Sequence, residues 1–204
     1  MNLSRRKVLA ATAAAAVAGP TAFGSTDDEV EKLVSRIRDA YADGQPGVEE
    51  MLRELASQPA RIVDALGEPA KGGIRSLYND PDITILNIVW APLMVLRPHD
   101  HNMWASIGVY GGREDNVYWQ RTGNTVEAIG AKSLGRGDVG SLAEDGVHSV
   151  INPIQKLTAA IHVYGGDFFA PGRSQWMGEE LEKAPFSQTG LVKHFMESNE
   201  RFQL

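Results

Sequence analysis

The sequence predicts a mainly β domain, a sandwich or closed barrel, with helices at its amino end and one helix at its carboxyl end. Three observations lead there. From residue 74 to about 170, short β-branched and aromatic runs alternate with Gly, Asn-Asp and Asp-Gly turns, the punctuation of a sandwich or barrel. Before and after this region, apolar residues recur at helical spacing. Finally, four of the five histidines lie inside the strand region. His99 and His101, one residue apart in an extended context, place both imidazoles on one strand face. A third, His148, sits in a second β-branched run. Two strands supplying three imidazoles to one point is a common way to build a divalent-metal site.

Length and charge set outer bounds. At 204 residues the chain suits one domain with a sizeable core. A net charge of −6, with no basic cluster beyond the amino terminus, argues against nucleic acid as a partner. The absence of cysteine excludes disulfides, thiolate metal sites and a cysteine nucleophile.

Residues 1–24 read as an export signal rather than as part of the fold. Ser4-Arg5-Arg6-Lys7 precedes an alanine-rich run to Ala18, followed by Gly19-Pro20 and small residues up to Gly24. The paired arginines resemble the twin-arginine signal, which is read by export machinery. The run is too short and too weakly apolar for a membrane-spanning helix. Its removal would take the charge to about −9 and leave a protein without stable membrane insertion. The expected localisation is therefore periplasmic or extracellular.

Residues 25–204 form the single expected domain, helical over 26–67. Thr26-Asp27-Asp28-Glu29 fits a capping box, Val30, Leu33, Val34, Ile37 and Tyr41 follow helical spacing, and Gly44 ends the run. A second helix is expected over 48–57 and a third short one from Pro59. The barrel is expected over about 74–170. Its strands are predicted at 83–90, 93–97, 104–110, 116–121, 125–131, 138–142, 147–151 and 158–164. A closing helix over 189–200 would turn Leu191, Val192, Phe195 and Met196 inward and leave His194 facing solvent.

The His-x-His pair, with Gly137, Gly146, His148 and Asn152 later in the chain, resembles the cupin superfamily of double-stranded β-helix (jelly-roll) proteins. One expected feature is missing: Ala105 and Ser106 stand where the first cupin motif carries a glutamate, and Glu114 lies too far along. The metal centre then has three histidines and no protein carboxylate. Imidazole suits Fe, Zn, Cu and Ni alike.

Over roughly residues 74–168 the chain is also similar to the cysteine dioxygenase family of thiol dioxygenases. The resemblance is carried by Ile83-Thr84-Ile85-Leu86-Asn87-Ile88-Val89-Trp90, by His99-Asp100-His101, by the run from Asp145 to Asn152, and by Ile161-His162-Val163-Tyr164. It implies non-haem Fe(II) held by His99, His101 and His148. It further implies that a small carboxylated thiol is oxidised by O2 to a sulfinate, with His162 and Tyr164 as catalytic residues. Arg75 stands at the family's carboxylate-clamp position, and Arg97 is a second candidate. Two positions depart from the pattern. Ser106 replaces the cysteine that some members cross-link to the tyrosine, and Ala160 replaces the serine before the His-x-Tyr pair. The residues alone leave two other readings open. One is a three-histidine metalloenzyme of another class (isomerase, lyase or hydrolase) using Zn, Ni or Mn, and the other a non-catalytic metal- or ligand-binding domain.

Overall fold

The computed structural model describes residues 27–204. The expected export signal and the Thr26 cap lie outside the described residues. Helices α1 (Asp27–Ala40), α2 (Gly44–Ser57) and α3 (Pro59–Leu66) precede eleven strands. These are β1 (Gly73–Asn79), β2 (Thr84–Trp90), β3 (Val95–Asp100), β4 (Ala105–Gly111), β5 (Arg113–Thr122), β6 (Thr125–Gly135), β7 (Val139–Leu142), β8 (Val147–Ile151), β9 (Thr158–Tyr164), β10 (Ser174–Met177) and β11 (Glu182–Pro185). Helix α4 (Gln188–Phe202) closes the chain. The strands form two antiparallel sheets, ordered β1-β2-β9-β4-β7 and β11-β10-β3-β8-β5-β6. This is the expected cupin double-stranded β-helix, with helices at both ends.

Alternation in the central strands builds two cores. In β2, Ile85 and Val89 face the helices, together with Ile83 just before the strand, and meet Leu33, Ile37, Leu52 and Ile62. Leu86, Ile88 and Trp90 of the same strand face the barrel interior. Strand β9 repeats the division: Ile161 and Val163 join the helix-side core, whereas Tyr164 joins the interior. Every residue of both strands is buried, as expected for strands covered on both faces. Helix α2 packs closely on β4 because Gly108 lies beneath Leu52; a Cβ there would sit 3.2 Å from Leu52 Cβ.

Several boundaries differ from expectation. Gly44 begins the second helix, and Tyr41 falls in a 3₁₀ turn between α1 and α2. Strand β3 starts at Val95 because Leu93 adopts φ 55°, outside the β region. It therefore carries His99 within it. Strand β5 begins at Arg113, three residues earlier than predicted, and so includes Glu114. In α4, capped by Ser187 Oγ accepting from Gly190 N–H, the inward residues are Leu191, Phe195 and Ser198. Val192 and Met196 are exposed, and half-buried His194 bonds the Val95 carbonyl. The β10–β11 hairpin, beyond the expected end of the barrel at about 170, extends the second sheet along β3.

Among the described residues no helix is long and apolar enough to cross a membrane.

Candidate metal centre

Register brings the histidines together. His99 on β3 pairs directly with His148 on β8, and His101 follows the end of β3, where Asn102 at φ 56° turns the chain. All three imidazoles are buried. Their candidate ligand nitrogens lie within 4.8 Å of one another, and His101 Nε2 is 3.0 Å from His148 Nε2. Asp100, between two of them, turns the other way, as alternation requires. Its carboxylate accepts from Ser174 N–H and from Arg121.

Hydrogen bonds on the far side set the tautomers. His99 Nδ1–H donates to the Arg97 carbonyl at 2.9 Å, and His148 Nδ1–H donates to Asn116 Oδ1 at 2.7 Å. A proton on Nδ1 leaves the Nε2 lone pair free, the state a metal ligand needs. Burial holds all three imidazoles neutral. His99 and His101 lie well below the ordinary histidine value, and His148 is pushed down to about 4. His101 Nδ1 has no partner, so the 3.0 Å between His101 Nε2 and His148 Nε2 is bridged either by a proton on His101 or by a cation that both lone pairs ligate. The donor set therefore fits a divalent metal, and no carboxylate belongs to the cluster.

Around the histidines lies a small cavity with room for about one water molecule. His162, Tyr164, Arg173, Phe168 and Phe186 share its lining. Tyr164 packs its ring on His101, with centroids 4.9 Å apart, and its hydroxyl is 3.3 Å from His162 Nδ1. Burial raises the Tyr164 phenol well above its ordinary value, so it is protonated at neutral pH.

A buried carboxylate stands behind this pair. Glu114 is fully buried. Its Oε2 accepts from Trp90 Nε1–H at 2.7 Å and lies 3.3 Å from His162 Nε2; its Oε1 accepts from Asn116 Nδ2–H at 3.1 Å. The His162 contact is longer or more bent than a full hydrogen bond, since Nε2 otherwise has no partner. Burial works to raise the Glu114 carboxyl, but His162, Asn116 and Trp90 together hold it below the usual carboxylate value. The turn that delivers Glu114 depends on Gly112, at φ 78°, where a Cβ would come within 2.3 Å of Thr158 Oγ1.

Neither expected arginine reaches the cavity. Arg75 is exposed; its neighbour Ile74 lines the cavity, and alternation along β1 turns Arg75 away. Arg97 is also exposed and contributes only its carbonyl to His99. The guanidinium that does line the cavity belongs to Arg173, in the loop before β10. It is only 6% exposed and lies between the Phe168 and Phe186 rings, 4.3 and 4.1 Å from their centroids. Its Nε–H donates to the Asp100 carbonyl and Nη1–H to that of Phe168, while Nη2 is buried without a partner. Burial lowers Arg173 to about 10, so it stays charged at neutral pH. A lone arginine among Phe168, Phe169 and Phe186 was the available sequence signal. Glu114 and Asn116, two apart, were the corresponding signal for the buried carboxylate network.

Two supporting positions take structural roles. Ser106 points toward α2, where Gln45 Nε2–H donates to its hydroxyl at 3.4 Å. The residue opposite Tyr164 on β4 is Ala105. Asn152 fastens the loops at the far end of β8, donating to the carbonyls of Trp90, Ala91 and Lys156.

No family model matches the sequence. Solved structures do match the fold. The DMSP lyase DddQ from Ruegeria pomeroyi DSS-3 aligns over 72% of this chain and 96% of its own, with a TM-score of 0.51 and 12% identity. A double-stranded β-helix protein from Klebsiella pneumoniae aligns over 54% and 90%, with a TM-score of 0.42 and 14% identity. A cupin 2 conserved barrel domain protein from Salinispora arenicola aligns over 45% and 72%, with a TM-score of 0.36 and 22% identity. The two antiparallel sheets and the histidine cluster together describe a cupin-type double-stranded β-helix fold with a three-histidine site compatible with a divalent metal.

Proposed function

We propose that this protein is an exported, iron-dependent thiol dioxygenase that oxidises a small carboxylated thiol with O2 to a sulfinate. One observation carries the reading. A neutral three-histidine cluster without a carboxylate shares a small cavity with a buried guanidinium whose Nη2 lacks a partner and with the Tyr164 hydroxyl. Neutral ligands leave a divalent ion its full charge, which favours an anionic thiolate. Fe(II), when bound by His99, His101 and His148, would supply a Lewis-acidic centre with open positions for thiolate and dioxygen.

The chain's own residues account for recognition. An unpaired buried N–H donor is costly, and a substrate carboxylate would satisfy it at Arg173 with a charge-assisted bond. The clamp role implied for Arg75 thus passes to Arg173. Arg173 and Phe186 line both the inner cavity and an open groove formed by residues 169–174 and 183–189. Tyr164, held by His162, contacts the reacting sulfur and oxygen atoms.

The test is oxygen uptake by Fe(II)-loaded protein with a panel of mercapto-acids and their uncharged analogues, with sulfinate measured as product. One O2 consumed per sulfinate formed, and preference for the carboxylated thiols, support the reading. A second reading is a Zn-, Ni- or Mn-dependent lyase or isomerase, in which the buried Tyr164–His162 pair beside the three histidines serves as an acid–base pair. It predicts turnover that continues without oxygen. Metal binding with no turnover on either panel would leave a binding protein. Export rests on Arg5 and Arg6: replacing both by lysine should abolish it, and unchanged export would rule out the twin-arginine route.

A further inference from the structure

Glu114 is not a candidate metal ligand, yet it is a fully buried charge. Trp90 Nε1–H donates to its Oε2 and Asn116 Nδ2–H to its Oε1, and His162 Nε2 lies 3.3 Å from Oε2 with no hydrogen-bond partner of its own. We propose that Glu114 is a positioning residue whose single carboxylate sets the proton arrangement on both sides of the cavity. Through His162 it fixes the direction of the Tyr164 hydrogen bond, and through Asn116 it fixes the tautomer of His148.

If His162 Nε2 were unprotonated, its lone pair would face a carboxylate oxygen 3.3 Å away in a buried site, which is repulsive. The proton therefore sits on Nε2, and His162 carrying that single ring proton has its lone pair on Nδ1. Tyr164, 3.3 Å from that nitrogen, must donate to it. Its hydroxyl proton points to His162 and its oxygen lone pairs face the cavity. On the other branch, reversing the Asn116 amide would turn its oxygen onto the Glu114 carboxylate. The amide is thus held with Nδ2 toward Glu114 and Oδ1 toward His148, which places the His148 proton on Nδ1 and leaves Nε2 free.

This arrangement deepens the dioxygenase reading and rests on it only for the use made of Tyr164. With its oxygen as acceptor, Tyr164 can take the proton of an incoming thiol while passing its own to His162 Nδ1. The S–H bond breaks, the proton ends on the imidazole, and the resulting imidazolium faces the Glu114 carboxylate. No oxidant is needed for this step. The logic is that of a base oriented by a buried acid, with Glu114 standing behind His162 where Ala160 supplies no hydroxyl.

The tautomers can be read without substrate, so failure here and failure of the dioxygenase reading are separate results. Uniformly 15N-labelled, chelator-treated protein at pH 8, with His162 assigned through His162→Gln, should show His162 as the Nε2–H form and His148 as the Nδ1–H form. In Glu114→Gln the amide oxygen stays with Trp90 Nε1–H, which can only donate, so His162 should keep its Nε2–H form; the new amide N–H faces Asn116, whose amide reverses, and His148 should switch to the Nε2–H form. Trp90→Phe removes one donor but keeps the carboxylate, and His162 should stay Nε2–H. An Nδ1–H or doubly protonated His162 in the unsubstituted protein overturns the proposal, whether or not Glu114→Gln folds. So does a folded Glu114→Gln protein in which the His148 tautomer is unchanged.

Discussion

Strand β9 has two faces with opposite demands. Outward, Ile161 and Val163 pack against helices in a core made of apolar side chains. Inward, His162 and Tyr164 look across the barrel at a buried carboxylate, three histidines and a guanidinium. The outer face gains stability simply by leaving water. The inner face must keep every polar group partnered, because an unpaired buried charge costs several kcal/mol. Three groups there are left without a hydrogen bond, Arg173 Nη2, His101 Nδ1 and His162 Nε2, and their residues line the cavity. The outer core should thus be sensitive to lost volume, and the inner one to lost charge or ligand.

The largest expected effect lies on the inner face. His101→Ala should abolish stoichiometric metal, measured by elemental analysis after loading and desalting, while the protein remains folded. Full metal content in that variant would remove the three-histidine reading. On the helix side, Leu52→Ala deletes a fully buried side chain and should cost about 2–5 kcal/mol in denaturant unfolding without changing metal content. If metal were lost in parallel, the two cores would not be separable.

Within the inner face, Arg173→Ala should raise the KM for a carboxylated thiol by roughly 30- to 1,000-fold, the loss of a charged hydrogen-bond partner worth about 2–4 kcal/mol. The uncharged analogue should respond far less, and lysine should rescue only in part. Arg75→Ala, on an exposed position, should change stability by less than about 0.5 kcal/mol and leave KM alone. A selective loss at Arg75 would return the clamp to β1.

Acid should separate the faces as well. His148 titrates at about 4 when folded and near 6.5 when unfolded. Between those values the unfolded chain binds more protons. Stability of the metal-free protein is therefore full above about 6.5 and falls as pH drops toward 4, by roughly 3 kcal/mol for this group. His99 and His101 act in the same direction. Chemical denaturation across this window should show the loss, and His148→Gln should reduce its slope. A pH-independent midpoint would mean the imidazoles are not buried as neutral groups.

Local patterns made much of this legible. The runs at 147–151 and 158–164 form β8 and β9 at the predicted residues, because strong β-branched alternation leaves one register that buries it. His-x-His placed two ligand candidates on one face for the same reason. The run around Glu114, by contrast, reads as a charged turn, Arg113-Glu114-Asp115. Only pairing of Asn116 with Val150 and of Tyr118 with His148 shows which face turns inward. Val192 and Met196 fit a helical stripe as well as Leu191 and Phe195 do. Which part of the stripe is covered depended on where α4 docks.

By itself the sequence determined the β-rich architecture, the helical flanks and the three histidines, since each follows from side-chain period and neighbouring turns. Only tertiary structure decided which arginine enters the cavity. Arg75 lies on a well-formed strand but on its outer face. Arg173 lies in a loop whose four-residue strands carry almost no periodic signal, and the β10–β11 hairpin carries it inward by pairing with β3. The partner of a buried charge is chosen by contacts between residues distant in the chain, such as Glu114 with His162 and Trp90, and no local pattern encodes that distance.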